Sequence, residues 1–553
     1  MKFQARLLSV AIVSALAVSS TAVAAKRGAA ADDTGAAARA AAIARAQALV
    51  EGPARKLVHR ASGDAFAAEP TAVHIDADGT EHVRFARTYK GSLPVIGGDF
   101  VLHSKNGKAK GASQTLPTSK RPATTASYSS SRAVKKAVAE FAMAYSDAPD
   151  SRLVIYALGA SPRLAHEVVL HGVRADQTPT EMHYFVDARN GKMLDRWDAV
   201  NTAKPGRDGG GCATPVASTG TGHSLTEGTV ELDTAKCGSS YQLLDTTRGG
   251  GYTTNMGLRQ SGMGSIFVDA DNTWGNGGLD NAATVAVDAH FGVSATWDYF
   301  KQAHGRNGIA NNGAGAISRV HYGRNNGNAF WRDSCFCMTF GDGDNGVSLL
   351  PLVALDIAGH EMSHGVTSRS AGLVYSGESG GLNEATSDIF GTMVEYHVDS
   401  ESDPVDYMIG EEIFPNNPGY LAIRYMFKPS LDGASPDCYV PDLGDYDVHY
   451  SSGVANHFYY LLAEGAVVPD GFGADGLGLT VADLVCDGNT SLTGIGREAA
   501  SKIWYRALTV YMTSGSDYAA ARAATMSAAA DLYGAASAQQ NAVAAAWNAV
   551  SVH

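Results

Sequence analysis

The sequence has few charged residues, no excess of basic over acidic residues and few long apolar runs. Only 18% of its 553 residues are charged and 45% are hydrophobic, which is too apolar a composition for a disordered chain. The formal net charge of −13 excludes a general nucleic-acid or polyanion binder. Beyond the N-terminus no run approaches the roughly 20 apolar residues that a membrane-spanning helix needs. Length and composition therefore predict a globular protein of several domains.

The first 211 residues contain no cysteine and no excess of acidic over basic side chains. Residues 26–200 carry 24 basic and 18 acidic side chains, a net charge of +6, whereas residues 201–553 carry 17 basic and 38 acidic ones, a net charge of −21. Disulfides persist in oxidising compartments. We therefore expect only the acidic half to be adapted to such a compartment. All six cysteines lie in that half, at Cys212, Cys237, Cys335, Cys337, Cys438 and Cys486.

The N-terminus has the pattern of an export signal. Lys2 and Arg6 precede an apolar run over residues 7–18, and the small-residue triplet Ala22-Val23-Ala24 follows. The run is shorter than the roughly 20 residues of a membrane anchor. We therefore expect a cleavable signal peptide over residues 1–25 and a secreted, extracellular protein.

Four further segments follow from changes in composition and periodicity. Strand alternation from His82 onward indicates a first module over residues 26–116, and a Ser, Thr and Pro-rich stretch opens a second over 117–200. That second module contains a predicted helix over 134–145 and a hairpin over 182–197 that turns at Arg189-Asn190-Gly191. Residues 201–211 are predicted to be an exposed boundary that a protease can cut. A β-rich lobe (201–354) with one strong helix (284–303) and an α-helical lobe (355–553) complete the chain, the latter with helical periodicity over 495–512 and 519–532.

The residues with the clearest chemistry are His360-Glu361-Met362-Ser363-His364. Two histidines at i and i+4 share one helix face and can bind one metal ion, while Glu361 can reach a water on it. A hydrolytic zinc site needs a third protein ligand, and Glu384 follows 19 residues after Gly365, enough for a helix end, a turn and a return helix. Asp388, one turn beyond Glu384, can accept the second ring proton of a ligating histidine, and Asn383 can do the same for the other.

In these residues the chain resembles the thermolysin family of secreted zinc endopeptidases, the gluzincins, and within it vibriolysin and pseudolysin most. The matching stretches occur in the family's order and cover nearly the whole chain: residues 328–331, 356–365, 371–375, 378–388, 423–424 and 447–453, with 87–91, 95–98 and 185–197 resembling the family's propeptide. The resemblance implies an α+β protease with a β-rich N-terminal lobe, an α-helical C-terminal lobe and the zinc helix between them. A small α+β propeptide precedes these two lobes.

The resemblance also implies roles for individual residues. One zinc ion would be held by His360, His364 and Glu384, with Glu361 as the general base. Tyr375 and His449 would donate to the oxyanion of the transition state, and Asp447 would orient His449. The residues implied to bind substrate are Asn328, the Ala329 carbonyl and Arg424 for the backbone, and Leu349, Leu352, Ile357 and Ile423 for a bulky apolar side chain after the scissile bond.

A structural calcium site is implied as well. Its expected carboxylates are Asp356, Glu395, Asp406 and Glu411, which repel one another unless a hard cation neutralises them. The family's paired site has a further Glu where this chain has Met408, which offers only its backbone carbonyl. We therefore expect one calcium ion here rather than two. Asp269 and Asp271 resemble another calcium loop of the family.

Two other functions fit part of the pattern. A zincin aminopeptidase shares the histidine motif, but its third ligand comes one residue sooner and its amine-binding acidic cluster is not found here. A metal-stabilised binding protein that has lost catalysis would lack Glu361, Tyr375 or His449, and all three are present. The expected partners are protein and peptide substrates and the chain's own propeptide, as chaperone and inhibitor. We expect no nucleic acid, no membrane anchor after processing, and a monomer.

Six cysteines allow 15 pairings, and the sequence cannot choose among them. We favour Cys212 with Cys237 and Cys438 with Cys486, because each pair closes a loop within one lobe. Cys335 and Cys337, one residue apart, are left either as a small-ring disulfide or as two thiols.

Overall fold

The structure is a computed structural model that describes residues 27–175, 177–200, 212, 214–417, 419, 421–474 and 476–553. The expected signal peptide over residues 1–25 and the expected protease-sensitive segment over 201–211 lie outside the described residues. Within the described residues, no helix is both long enough and apolar enough to cross a bilayer.

The N-terminal region, residues 27–200, is built on one nine-stranded sheet. The strands of the two expected modules meet in this sheet, because β3 pairs in parallel with β6 through Val95 and Ile155. Helix α1 packs on the first part of the sheet and α2 on the second. The elements are α1 (Arg27–Glu51), β1 (Asp64–Ile75), β2 (Thr80–Tyr89), β3 (Leu93–Ile96), β4 (Phe100–Lys105), β5 (Lys108–Gln114), α2 (Ser130–Phe141), β6 (Asp150–Tyr156), β7 (Arg163–Val173), β8 (Pro179–Asp187) and β9 (Met193–Asp198).

Helix α1 has no counterpart among the sequence predictions. Its buried face consists of Ala42, Ala46, Leu49 and Val50, which have helical spacing and cover the sheet at Phe85. Alanine also fills the exposed face, so the apolar periodicity is hidden in the sequence. The predicted hairpin is confirmed, because β8 and β9 pair antiparallel around Gly191, whose φ of 75° suits glycine.

The first lobe of the C-terminal region is rich in short strands and contains one long helix. It has a five-stranded sheet and a six-stranded sheet, which pack on helix α3. The elements are β10 (Val216–His223), β11 (Thr229–Cys237), β12 (Ser240–Gln242), β13 (Leu244–Asp245), β14 (Gly251–Asn255), β15 (Ser265–Ile266), β16 (Val268–Asp269), β17 (Thr273–Trp274), α3 (Ala282–His304), β18 (Ile317–Val320), β19 (Ala329–Arg332) and β20 (Cys337–Phe340).

The second lobe is helical and shares one hydrophobic core with the first. The expected fold, a β-rich lobe followed by a helical lobe after an α+β N-terminal region, is therefore confirmed. The elements are α4 (Leu355–Ser368), α5 (Gly377–Val398), β21 (Met408–Ile409), β22 (Arg424–Tyr425), α6 (Val448–Ser451), α7 (Gly453–Ala463), α8 (Arg497–Arg506), α9 (Tyr518–Tyr533) and α10 (Ala538–Ala549), with 3-10 turns at Glu411–Ile413, Pro429–Asp432, Leu443–Asp445 and Val481–Leu484 and a π-helical turn at Ala507–Tyr511.

Three disulfides join the six cysteines. Cys212 pairs with Cys237 and Cys438 with Cys486, as the sequence favours. Cys335 and Cys337 form a disulfide rather than two thiols. The first and third bridges each fix a loop within one lobe.

Candidate metal centre and active site

Helices α4 and α5 form the frame of the site and approach each other closely. A Cβ atom at Gly391 would lie 2.5 Å from the Asp356 carbonyl oxygen, and one at Gly359 would lie 2.9 Å from the Gly391 Cα. Only glycine allows this approach. Because the two helices are held together along their length, side chains of α4 and α5 that face each other meet at fixed distances.

Three side chains that were predicted to bind metal converge between these helices. His360 Nε2 and His364 Nε2 lie 3.0 Å apart, and Glu384 oxygens lie 3.5 Å from His360 Nε2 and 3.3 Å from His364 Nε2. All three residues are buried, and Glu384 Oε2 has no hydrogen-bond partner among the described residues. Two imidazole nitrogens and a carboxylate that face one point are the donor set of a catalytic zinc site. The residues therefore fit zinc.

The other ring nitrogen of each histidine is held from behind. His360 Nδ1 lies 2.8 Å from Asp388 Oδ1, and His364 Nδ1 lies 2.8 Å from Asn383 Oδ1. Asp388 also accepts a hydrogen bond of 2.7 Å from Asn456 Nδ2, a partner that the sequence did not predict. Such partners fix the tautomer and direct each Nε2 lone pair at the metal position.

The guanidinium group of Arg424 forms an ion pair with the carboxylate of Asp388. Its Nε and Nη2 donate to the two Asp388 oxygens at 2.8 and 2.6 Å. Burial alone would raise the pKa of Asp388, but Arg424 and His360 lower the pKa of this carboxyl below its usual range. Two of the guanidinium nitrogens thus hold the Asp388 carboxylate that binds His360, in addition to the expected role of Arg424 toward substrate.

Glu361 lies next to the histidines on α4 and is 6% exposed. Its Oε2 has no hydrogen-bond partner among the described residues, and burial raises the pKa of its carboxyl. A buried carboxylate with a free oxygen beside a metal position can accept a proton from water there.

Tyr375 and His449 face Glu384 from outside the helix pair. The Tyr375 hydroxyl donates to Glu384 Oε1 and lies 3.2 Å from His449 Nε2. His449 Nδ1 lies 2.7 Å from Asp447 Oδ1, and the Asp447 side chain also caps α6 by accepting from the His449 backbone N–H. The charges of Glu384 and Asp447 raise the pKa of His449. The arrangement presents two donors on one side of the metal position.

The expected substrate-binding edge is in contact with the N-terminal region. Asn328 Nδ2 donates to Thr178 Oγ1 at 3.2 Å, and Ala329 begins the adjoining strand β19. In the same loop between β7 and β8, Gln177 binds both the N–H and the carbonyl of Arg324. In this chain the edge is therefore covered by residues that precede the catalytic lobes.

The four aliphatic residues of the expected specificity pocket lie at the boundary of the common core. Leu352 and Ile357 are buried, and Leu349 and Ile423 are half-buried. Ile357 and Ile423 converge at Gly410, where their Cδ1 atoms lie 3.3 and 2.7 Å from the position of a Cβ. A wall of this kind is apolar and contains no charged group of its own.

The expected calcium ligands also come together, with more carboxylates than predicted. Asp356 accepts a hydrogen bond of 2.7 Å from Gly410 N, and Asp406 accepts one of 2.6 Å from Met408 N. Glu395 and Glu411 are buried, and none of their carboxylate oxygens has a partner among the described residues. Ligand oxygens from Glu395, Glu411 and two unpredicted residues, Asp403 and Glu412, lie within 4.8 Å of one another.

The other expected calcium loop, at Asp269 and Asp271, forms a turn in the structure. Asp269 Oδ1 accepts from the backbone N–H groups of Asp271 and Asn272, at 2.8 and 2.7 Å, which is the geometry of a side-chain-stabilised turn. Among the described residues, this pair does not belong to a group of three or more possible metal ligands.

Comparison with known proteins yields three family models. The model described as the thermolysin metallopeptidase catalytic domain matches residues 219–368, and the one described as its alpha-helical domain matches residues 371–552. A fungalysin/thermolysin propeptide motif matches residues 68–116. The first two models cover nearly all of the C-terminal region, and the propeptide motif covers part of the N-terminal region.

Individual proteins are similar over most of the chain. The transglutaminase-activating metalloprotease of Streptomyces mobaraensis is 47% identical over 483 residues, which are 86% of this chain but only 60% of that protein's length. Thermolysin of Alicyclobacillus acidocaldarius subsp. acidocaldarius is 36% identical over 489 residues, 85% of this chain and 83% of that one. The precursor of protealysin from Serratia proteamaculans is a similar solved structure, with 29% identity, a TM-score of 0.42 and coverage of 55% and 87%.

Proposed function

The chain belongs to the thermolysin family of metalloendopeptidases and has a propeptide, and from this premise we propose a secreted zinc enzyme that cleaves peptide bonds with a water molecule activated by Glu361. The observation that carries the proposal is the position of Glu361, a buried carboxylate with a free oxygen beside two histidines and a glutamate that fit zinc.

Each residue has a separate task in the proposed reaction. His360, His364 and Glu384 would hold zinc, which would supply the Lewis acidity that lowers the pKa of water towards about 7. Glu361 accepts the proton of the attacking water and returns it to the leaving amine. Tyr375 and His449, the latter oriented by Asp447, donate to the oxyanion, which bears charge only in the transition state.

Substrate would be held along β19 and beside Asp388. We propose that Asn328 and the Ala329 carbonyl bind the substrate backbone and that Arg424 binds a carbonyl on the leaving-group side. The contact between Asn328 and Thr178 supports a propeptide that blocks this edge before maturation. The proposed segments are a signal peptide (1–25), propeptide modules (26–116 and 117–200) and catalytic lobes (201–354 and 355–553).

We further propose one calcium ion at Asp356, Glu395, Asp406 and Glu411 with the Met408 carbonyl. Asp356 lies one helical turn before His360 on α4, so this ion would stiffen the zinc helix. The mature enzyme is proposed to be a monomer without nucleic-acid or membrane partners.

Digestion of casein tests the function directly. The mature protein should release peptides at neutral pH, and a zinc chelator should stop the release because the ligand set holds the metal that activates water. Zinc added back in slight excess should restore cleavage. A chelator-insensitive digestion, or no digestion by a correctly processed sample, would contradict the proposed reaction.

A peptide library tests the specificity. A bulky apolar side chain immediately after the scissile bond should be preferred, because burying it against Leu349, Leu352, Ile357 and Ile423 contributes about 1.5–3 kcal/mol, or roughly 10- to 150-fold in kcat/KM. Alanine at that position serves as the reference peptide. A profile dominated by charged residues there would refute the assignment of these four residues to the pocket.

A further inference from the structure

Strand β19, along which substrate is proposed to lie, forms the edge of its sheet. Among the described residues, β20 is its one neighbour there. Phe330 and Arg332, two residues apart, share a face of β19, and Arg332 Cζ lies 5.7 Å from the centre of the Phe330 ring. Arg332 follows Ala329 by three residues, about 10 Å along an extended chain. A substrate that extends along β19 from Ala329 therefore reaches Arg332.

The face of β19 that carries Phe330 is covered by the N-terminal region. Val200, the last described residue before the expected cleavage segment 201–211, packs on the hydrophobic cluster that contains Tyr322 and Phe330. With this cover in place, Phe330 is 6% exposed and Tyr322 is 1% exposed. Release of the N-terminal region after cleavage would therefore uncover an aromatic surface at the substrate edge.

Two hydrogen-bond donors beside the Phe330 ring lack an acceptor. Arg332 Nε and the Tyr322 hydroxyl are buried, and neither has a hydrogen-bond partner among the described residues. The Tyr322 and Phe330 rings meet edge to face with their centroids 5.3 Å apart, so both donors belong to one patch. Buried donors are normally paired. The patch is therefore suited to a ligand that accepts hydrogen bonds.

The carboxylates that act on Arg332 come from the N-terminal region. Burial lowers the pKa of the Arg332 guanidinium, and the charges of Glu181 on β8 and Asp198 on β9 act in the opposite direction. Asp198 itself accepts hydrogen bonds from Arg174 Nη2 at 2.6 Å and from the Glu181 N–H at 2.9 Å. The N-terminal region thus supplies negative charge near Arg332, and the catalytic lobes lose this charge when that region leaves.

We propose that Arg332 and Phe330 form a specificity subsite for an acidic side chain of the substrate, an inference that rests on the proposed peptidase function. A carboxylate matches the planar guanidinium in shape and charge. The Phe330 ring would pack against the methylene groups of a glutamate. This subsite is separate from the aliphatic pocket for the residue after the scissile bond, which contains no charged group of its own.

The net charge of the enzyme sharpens the expectation. Residues 201–553 carry a net charge of −21, so the enzyme as a whole repels acidic peptides. Arg332 offsets this repulsion locally, where a substrate side chain lies next to its guanidinium. A preference for glutamate should therefore be confined to one substrate position, and glutamate should not be favoured at the others.

The test is a peptide library cleaved by the mature enzyme, obtained by processing of the full-length chain. At one position, other than the one directly after the scissile bond, glutamate should be favoured over glutamine by roughly 5- to 20-fold in kcat/KM. Arg332→Gln should reduce this ratio to one or below, and Arg332→Glu should favour lysine at the same position. Arg497→Gln is the control and should keep the ratio, because it removes an exposed charge that pairs with Glu464 in the helical lobe.

The possible failures can be told apart. A parent enzyme that cleaves the library without favouring glutamate at any position would overturn the subsite, and so would a preference that persists in Arg332→Gln. Both results leave the proposed peptidase function intact, because they require cleavage. An equal loss of cleavage for all peptides in both Arg332 variants would assign Arg332 a structural role and overturn the subsite as well. No cleavage by the parent enzyme would overturn the peptidase function and the subsite with it.

Discussion

Replacing Glu361 by glutamine should abolish peptide hydrolysis and leave the zinc content unchanged. Glutamine preserves the shape of the side chain but cannot accept a proton, and loss of a positioned general base costs about 10²- to 10⁴-fold in kcat. His360, His364 and Glu384, which fit the metal, are untouched. Zinc per protein measured on the purified variant, together with casein turnover, tests both halves of the expectation.

The matched control is Glu384→Gln, a change of the same chemistry at the proposed ligand. It should lose zinc and activity together, because the donor set falls to two imidazoles. If Glu361→Gln also loses its zinc, Glu361 supports the metal site structurally and is not the base. If the variant keeps full turnover, the proposed mechanism is wrong.

The residues around the metal position are the part of the site best predicted from sequence. The i, i+4 spacing predicts that His360 and His364 share one face of α4, and the 19 residues from Gly365 to Glu384 leave room for the return helix α5. The same reasoning selects Asp388 and Asn383, whose oxygens lie 2.8 Å from the histidine rings. Local patterns of this kind can be recognised in the sequence without knowledge of the tertiary fold.

What the sequence did not reveal depends on contacts between distant segments. Asn456 binds Asp388 from 68 residues away, and Thr178 binds Asn328 from 150 residues away. Glu227, in the hairpin of β10 and β11, interacts with Asp403 of the other lobe, and nothing in its local sequence indicates this contact. Asp403 and Glu412 could have been identified from the sequence, since each lies within three residues of an expected ligand.

The N-terminal region docks on the helical lobe through polar groups at the end of α8. Arg506 donates to the two Asp76 oxygens at 2.9 and 2.7 Å, and Arg84 Nη2 donates to the Met512 carbonyl at 2.7 Å. Asp99 accepts hydrogen bonds from both the backbone and the hydroxyl of Ser514. In the pair of Asp76 with Arg506, the acidic residue belongs to the N-terminal region of net charge +6 and the basic residue to the C-terminal region of net charge −21. This local contact is therefore distinct from the long-range attraction between the two net charges.

Residues 26–200 supplied as a separate chain should inhibit the mature enzyme, and the association rate should depend strongly on salt. Opposite net charges accelerate encounter and fix orientation more than they add affinity. The Debye length shrinks from about 8 Å at physiological ionic strength to about 3 Å at 1 M, so the rate should fall roughly tenfold or more over that range. Stopped-flow inhibition of peptide cleavage measures it, and a rate that is unchanged by salt would indicate that docking is mainly apolar and is not steered by the net charges.

The contact between Asp76 and Arg506 should instead control the dissociation rate of the complex. Burial acts to raise the pKa of Asp76, but hydrogen bonds from His82 and Arg506 lower it well below its usual range, so this carboxylate is charged in the complex. Asp76→Asn removes charge-assisted hydrogen bonds worth about 1.5–3 kcal/mol, and inhibition should weaken by roughly 10- to 150-fold, mainly through faster dissociation. Asp78→Asn is the control, because Asp78 is exposed and pairs with Lys105 inside the propeptide. Equal inhibition by the two variants would show that the contact between Asp76 and Arg506 does not hold the propeptide in place.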